Sequence, residues 1–159
     1  MSDFRSRAPV RPLTPAPYLR VISATRAIEF YTTVFGATEV VRLVEPSGRV
    51  AHAELRMGTA GEASLMLSEE YPEVGLLGPQ ESAHPPVALQ LYVDDVDAVC
   101  TRAVAGGGTV RRAPALDPFG DRAAKLMDPC GHEWLVATRV EDVSPEEMLR
   151  RFARAFEQS

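Results

Sequence analysis

The sequence predicts an α+β fold: two βαβββ modules with a C-terminal helix added. Three observations predict it. A strand–helix–strand–strand–strand order occurs twice along the chain. The two runs keep register. Leu19, Val21 and Gly36 recur 72 positions later as Leu91, Val93 and Gly108, and Met57, Gly61 and Leu65 recur 70 positions later as Met127, Gly131 and Leu135. Recurrence with the same turn positions is the mark of a duplication. The final stretch carries an apolar stripe at helical spacing, which must cover something apolar.

Composition sets the outer bounds. The chain has 159 residues, 45% hydrophobic and 25% charged, the balance of an ordinary globular protein rather than a disordered or collagenous one. Its net charge is −5 and no basic run exceeds two residues, so nucleic acid is not an expected partner. No apolar run reaches the roughly 20 residues that span a bilayer, so no membrane association is expected. Met1–Pro17 alternates Arg and Pro with small residues and has no apolar core, unlike a secretory signal. Two cysteines, Cys100 and Cys130, are too few for a disulfide scaffold, which leads to the expectation of a cytoplasmic protein.

Residues 1–13 read as a flexible arm and 14–69 as the first module. Pro17–Ser23 alternates like a strand, and Ser23 suits a helix N-cap. Ala27, Tyr31, Val34 and Phe35 follow at helical spacing, and Gly36 suits the C′ position. Glu39–Val44 and Arg49–Met57 form a hairpin about Pro46-Ser47-Gly48, and Ala63–Leu67 is a fourth strand after a turn at Gly58–Gly61. Residues 70–86, rich in Pro, Gly and Glu, read as a linker. The second module, 87–140, repeats the order. It has a strand at Val87–Val93, a helix capped by Asp95 and ended by Gly106-Gly107-Gly108, a short strand at Thr109–Arg112, and strands at Asp121–Met127 and Glu133–Thr138. Over 141–159, Ser144, Pro145 and Glu147 spell a capping box, and Leu149, Phe152, Ala153 and Phe156 form the stripe.

Particular strings carry a family resemblance: Tyr18-Leu19-Arg20-Val21, Ala27-Ile28-Glu29-Phe30-Tyr31 with Val34-Phe35-Gly36-Ala37, Tyr92-Val93-Asp94-Asp95-Val96-Asp97, and Asp128-Pro129-Cys130-Gly131-His132. With the duplicated order, they resemble the vicinal-oxygen-chelate superfamily of glyoxalase I, bleomycin-resistance proteins and extradiol dioxygenases, and the resemblance implies that the two modules form a curved mixed sheet around a cup. His52-Ala53-Glu54-Leu55 and Gly120-Asp121-Arg122 resemble its PhnB-like branch. In metal-using members each module supplies two ligands, one near the start of its first strand and one on its last. The resemblance puts those positions at Ala16, Leu65, Ala88 and Leu135, none of which binds a metal. It therefore implies no metal and no cofactor.

Strand alternation selects the cup lining. Tyr18, Arg20, Gln90 and Tyr92 alternate with core leucines and valines. His52, Glu54 and Arg56 share one strand face, with Arg122 and Leu126 added by the second module and Leu65, Leu67 and Leu135 as an apolar floor. Apolar walls with a few convergent polar groups suit a small organic ligand. Glu54 and His52 are the candidate catalytic pair. Tyr18, Arg20, Arg56, Leu65, Gln90, Tyr92, Arg122 and Leu135 are the candidate ligand contacts. The expected function is capture of a small molecule in a metal-free cup, by sequestration or with modest acid–base chemistry. The alternative is a metal-dependent glyoxalase-like lyase or isomerase with ligands relocated to His52, Glu54 and Gln90. A homodimer is expected, because the family pairs modules across dimers and the C-terminal stripe needs a cover.

Overall fold

The computed structural model describes residues 15–58, 63–79 and 84–157; the expected arm at 1–13 and most of the turn ending at Gly61 lie outside them. The first half runs β1 (Tyr18–Val21), α1 (Ala24–Phe35), β2 (Thr38–Val44), β3 (Val50–Met57) and β4 (Ala63–Glu69). Among the described residues of the linker, Pro72–Val74 forms a 3-10 turn. The second half runs β5 (Ala88–Tyr92), α2 (Val96–Ala105), β6 (Thr109–Leu116), β7 (Asp121–Met127) and β8 (Glu133–Arg139), and α3 (Pro145–Glu157) follows.

The two halves fold alike. Their sheets have the orders β1-β4-β3-β2 and β5-β8-β7-β6, with the first and last strands of each half parallel and the other pairs antiparallel. Local signals place the helices. The Ser23 hydroxyl accepts the Arg26 N–H, Asp95 accepts that of Ala98, and Gly36 closes α1 at φ 69°, a left-handed conformation that glycine adopts without steric cost. On α3, Ser144 caps Glu147, but the Glu147 carboxylate turns forward to Arg150 and Arg151, so only half of the expected capping box forms. Strand β6 outruns its expected end at Arg112. Two register shifts between Val110 and Ala115 take Pro114 out of the ladder, so a residue without an N–H is tolerated there.

One apolar core serves both halves. Ile28, Phe30, Tyr31 and Val34 of α1, Val96, Val99 and Ala103 of α2, and Leu55, Leu67, Leu126, Trp134 and Val136 of the sheets are all buried in it. Trp134 of β8 packs against Tyr31 and Phe35 of α1, with ring centroids 5.3 and 4.7 Å away. At Gly108 the backbone runs so close to α1 that an added Cβ would stand 2.9 Å from the Phe30 ring. The buried carboxylate of Asp128 accepts the Tyr31 hydroxyl at 2.6 Å, the Trp134 indole N–H at 3.0 Å, and the N–H groups of Cys130 and His132 at 2.9 and 3.0 Å.

Burial, and then the charge of Asp128, push the Tyr31 hydroxyl well above its ordinary pKa of 10.0. The folded state keeps this proton above pH 10 while the unfolded state releases it, so stability falls as pH rises past 10. Tyr31→Phe removes one donor from a buried carboxylate and is expected to cost about 1–3 kcal/mol near neutral pH. It should also flatten the loss of stability above pH 10. Chemical denaturation of the two proteins across pH 7–11 checks both outcomes.

Candidate functional site

Each sheet packs one face on the shared core and turns the other away from it. On the first sheet this outer face holds Tyr18 and Arg20 of β1, Ser64, Met66 and Ser68 of β4, His52, Glu54 and Arg56 of β3, and Val41 and Leu43 of β2, as the ladder pairing and strand alternation require. Tyr18 and His52 share a hydrogen bond of 3.0 Å between Oη and Nδ1. The Arg20 guanidinium lies 4.7 Å from the Tyr18 ring centroid and donates to the Ser68 hydroxyl. Glu54 is only 3% exposed although it sits on the outer face. Arg56 reaches it at 3.3 Å and donates to Ser64, whose hydroxyl in turn contacts the Glu54 carboxylate at 3.5 Å.

On the second sheet the outer face forms a cavity of about 450 Å³, lined by Gln90 and Tyr92 of β5, Leu135, Ala137 and Arg139 of β8, Ala123 and Lys125 of β7, and Arg112 of β6. Phe119 and Met148 stand at its rim. Asp121 is buried there: Tyr92 donates to it at 2.8 Å, and Arg139 makes a 2.6 Å ionic contact. The Tyr92 hydrogen bond and the charge of Asp121 raise the Arg139 pKa. A second cavity, about 380 Å³ and mostly apolar, lies where the edge strands β1 and β5 come together. It is lined by Pro17, Tyr18, Arg20, Pro86, Val87 and Leu89, with His132. The His132 ring bonds the Arg20 carbonyl at 3.0 Å and helps fix this junction.

The expected site residues therefore fall into two groups. Tyr18, Arg20, His52, Glu54 and Arg56 share the first outer face, and Gln90, Tyr92 and Leu135 share the second. Two expected contacts lie on the core side instead. Leu65 is 2% exposed and packs in the core with Leu67. Arg122 alternates with the core residue Ala124 toward α2, where it grips Asp97 through two hydrogen bonds of 2.7 and 2.8 Å and lowers that carboxyl's pKa. Leu126, also expected on the outer face, is buried in the core.

One cause explains the Leu65 correction. Glu54 pairs with Met66 and Lys125 pairs with Leu135, so the hairpin of the first half is two residues longer than that of the second. The constant spacing of 70 between the hairpins slips by one residue, and a one-residue slip exchanges the faces of a strand. The ladder pairs Tyr18 with Met66 and Gln90 with Leu135, which makes Met66 the counterpart of Leu135. The positions that the family's metal ligands would occupy are then Ala16, Met66, Ala88 and Leu135. Methyl, isobutyl and thioether groups do not suit a hard divalent cation. Among the described residues no three His, Cys, Asp or Glu side chains converge. The relocated set of His52, Glu54 and Gln90 draws on two different sheets. The residues present do not fit the family's metal.

The sequence reading missed Arg112, Asp121, Lys125 and Arg139. For Lys125 the signal was available in the repeat: once the hairpin lengths are allowed for, it is the second half's counterpart of Glu54.

Comparison with known proteins places this geometry. The family model of the glyoxalase/bleomycin resistance protein/dioxygenase superfamily matches residues 13–136. Uncharacterized proteins of Mycobacterium bovis and Mycobacterium tuberculosis are each 35% identical over 136 residues, covering 84% of this chain and 88% and 78% of theirs. Among solved structures, a glyoxalase/bleomycin resistance protein/dioxygenase family enzyme from Burkholderia phytofirmans superposes with a TM-score of 0.62 at 21% identity, over 77% of this chain and 95% of that one. The fosfomycin resistance protein FosX of Listeria monocytogenes, solved with Mn(II) and sulfate, superposes with a TM-score of 0.61 at 14% identity, over 87% and 96%. At these identities the structural likeness is one of fold.

Proposed function

We propose that this chain, which belongs to the glyoxalase/bleomycin resistance protein/dioxygenase superfamily, captures a small organic molecule on the outer face of its first sheet without a metal. The observation that carries the reading is Glu54, a carboxylate 3% exposed on the side of β3 turned away from the core. Burying a carboxylate costs free energy unless partners offset it, and sites that keep such groups are enriched in function. Around it lie Arg56, Ser64, His52, Tyr18 and Arg20, a set that donates and accepts hydrogen bonds to a polar ligand edge. Tyr18 and the adjoining apolar cavity offer surface for a ligand's apolar body. The resemblance of His52-Ala53-Glu54-Leu55 to the PhnB-like branch supports a place in that branch.

Sequestration is the first form of this reading. The second is acid–base chemistry, favoured by the His52–Tyr18 hydrogen bond on the same face as Glu54. There Glu54 takes a proton from one position of the ligand and His52, held by Tyr18, returns one at another, so the ligand keeps its proton count.

The test is a thermal-shift screen of small organic compounds, followed by mass spectrometry of each hit for conversion. Wild-type protein is expected to give hits whose stabilisation is lost in Glu54→Gln, with the variant folded. Hits recovered unchanged indicate sequestration, and hits converted to product indicate turnover. Equal stabilisation of both proteins would contradict the reading. A variant that instead loses stability by about 3 kcal/mol or more would make Glu54 a structural partner of Arg56.

The proposal extends to a cytoplasmic homodimer with α3 at the interface. Leu149 and Phe156 are 71% and 68% exposed on α3, an apolar surface that a second copy would cover. Light scattering at micromolar concentration should read twice the chain mass of 17.3 kDa, and a single chain mass would contradict it.

A further inference from the structure

The ladders align the two halves residue by residue, and the alignment exposes a reversal of charge. Val41 pairs with Glu54 on the first sheet, and Arg112 pairs with Lys125 at the same place on the second. An acid beside an apolar residue in one half is answered by two bases in the other. The register shift between Val110 and Arg112 turns Arg112 onto the face of Lys125, as bulges commonly re-aim a side chain. Like charges directly opposite on neighbouring strands destabilise a sheet. Nearby carboxylates do little to relieve this pair. Asp121 is taken by Arg139 and Tyr92, and Asp117 accepts the N–H groups of Phe119 and Asp121. Glu133 reaches Lys125 only at 3.9 Å, and Arg112 makes no ion pair among the described residues. Both cations line the cavity of about 450 Å³, whose floor is Leu135 and Ala137 and whose rim carries Met148 of α3.

We propose that this second-sheet cavity binds a small organic monoanion, its oxyanion held between Arg112 and Lys125 and its apolar body on Leu135 and Ala137 beneath Met148. An anion there relieves the cross-strand repulsion and gains charge-assisted hydrogen bonds from both cations. The floor excludes a bare inorganic anion as the best occupant, because its apolar area is covered only by a ligand with a carbon body. The cavity's lining comes from the second sheet and not the first, and Glu54 is intact in every variant below.

The probe is 8-anilinonaphthalene-1-sulfonate, with N-phenyl-1-naphthylamine as the uncharged analogue of nearly the same body. Fluorescence titration of the full chain is expected to give one sulfonate per chain, bound at least about tenfold more tightly than the amine, the scale of hydrogen bonds to charged groups. Arg112→Val with Lys125→Gln should weaken the sulfonate by about tenfold or more and leave the amine within about twofold. Lys125→Glu, a single change to the first-half residue type, should weaken the sulfonate at least as much and checks the result in a second background. Both variants should melt no lower than wild type, since each removes a like-charge pair. Wild-type affinity for the sulfonate in either folded variant, or equal binding of sulfonate and amine by the wild type, would overturn the proposal.

Discussion

The carboxylate of Asp128 is the contact on which the rest of the arrangement depends. It lies in the turn before the last strand, buried, and accepts one hydroxyl, one indole N–H and two backbone N–H groups. A buried carboxylate is tolerable only when its lone pairs are so occupied. Three of the donors are local, and they shape the turn that aims β8. The fourth, Tyr31, comes from the helix of the other half, so the same carboxylate that sets a turn also fixes how the two modules meet. The aromatic packing of Trp134 on Tyr31 and Phe35, and the approach of Gly108 to Phe30, follow from that join. With α1, α2 and one face of each sheet committed to a common core, the other face of each sheet is turned away from it.

Those faces show how a duplicated fold acquires two characters. Backbone topology and ladder pairing are the same in both halves, yet Glu54 and Val41 stand where the other half has Lys125 and Arg112. Exchange of a few outward side chains leaves the core untouched, because alternation in a strand separates the residues that hold the fold from those that face a ligand. The scaffold is the superfamily's, and a fold of this kind sets no activity by itself.

Much of this was legible in the chain. Ser23, Gly36 and Asp95 act through local hydrogen bonding and backbone geometry, so the helix ends could be read without tertiary knowledge. The outward set of Tyr18, Arg20, His52, Glu54 and Arg56 followed from alternation along strands whose buried partners are plainly apolar. Leu65, Leu126 and Arg122 were not legible in the same way. Runs such as Leu65-Met66-Leu67 and Ala123 to Met127 carry mixed or weak polarity contrast, and their register depends on a hairpin whose length differs between the halves. The role of Asp128 was also hidden, because a turn aspartate reads as a local cap and nothing in its neighbourhood announces a donor from a residue 97 positions away.

Native mass spectrometry of protein purified without a histidine tag, coupled to elemental analysis, is the most direct test of metal-independent capture. The account predicts an organic molecule carried by the folded protein, or taken up from the compounds that stabilise it, with no stoichiometric metal. Its binding should remain after exhaustive chelation and weaken in Glu54→Gln. A stoichiometric divalent metal, or ligand binding abolished by chelation and restored by nickel, zinc or manganese, would contradict it.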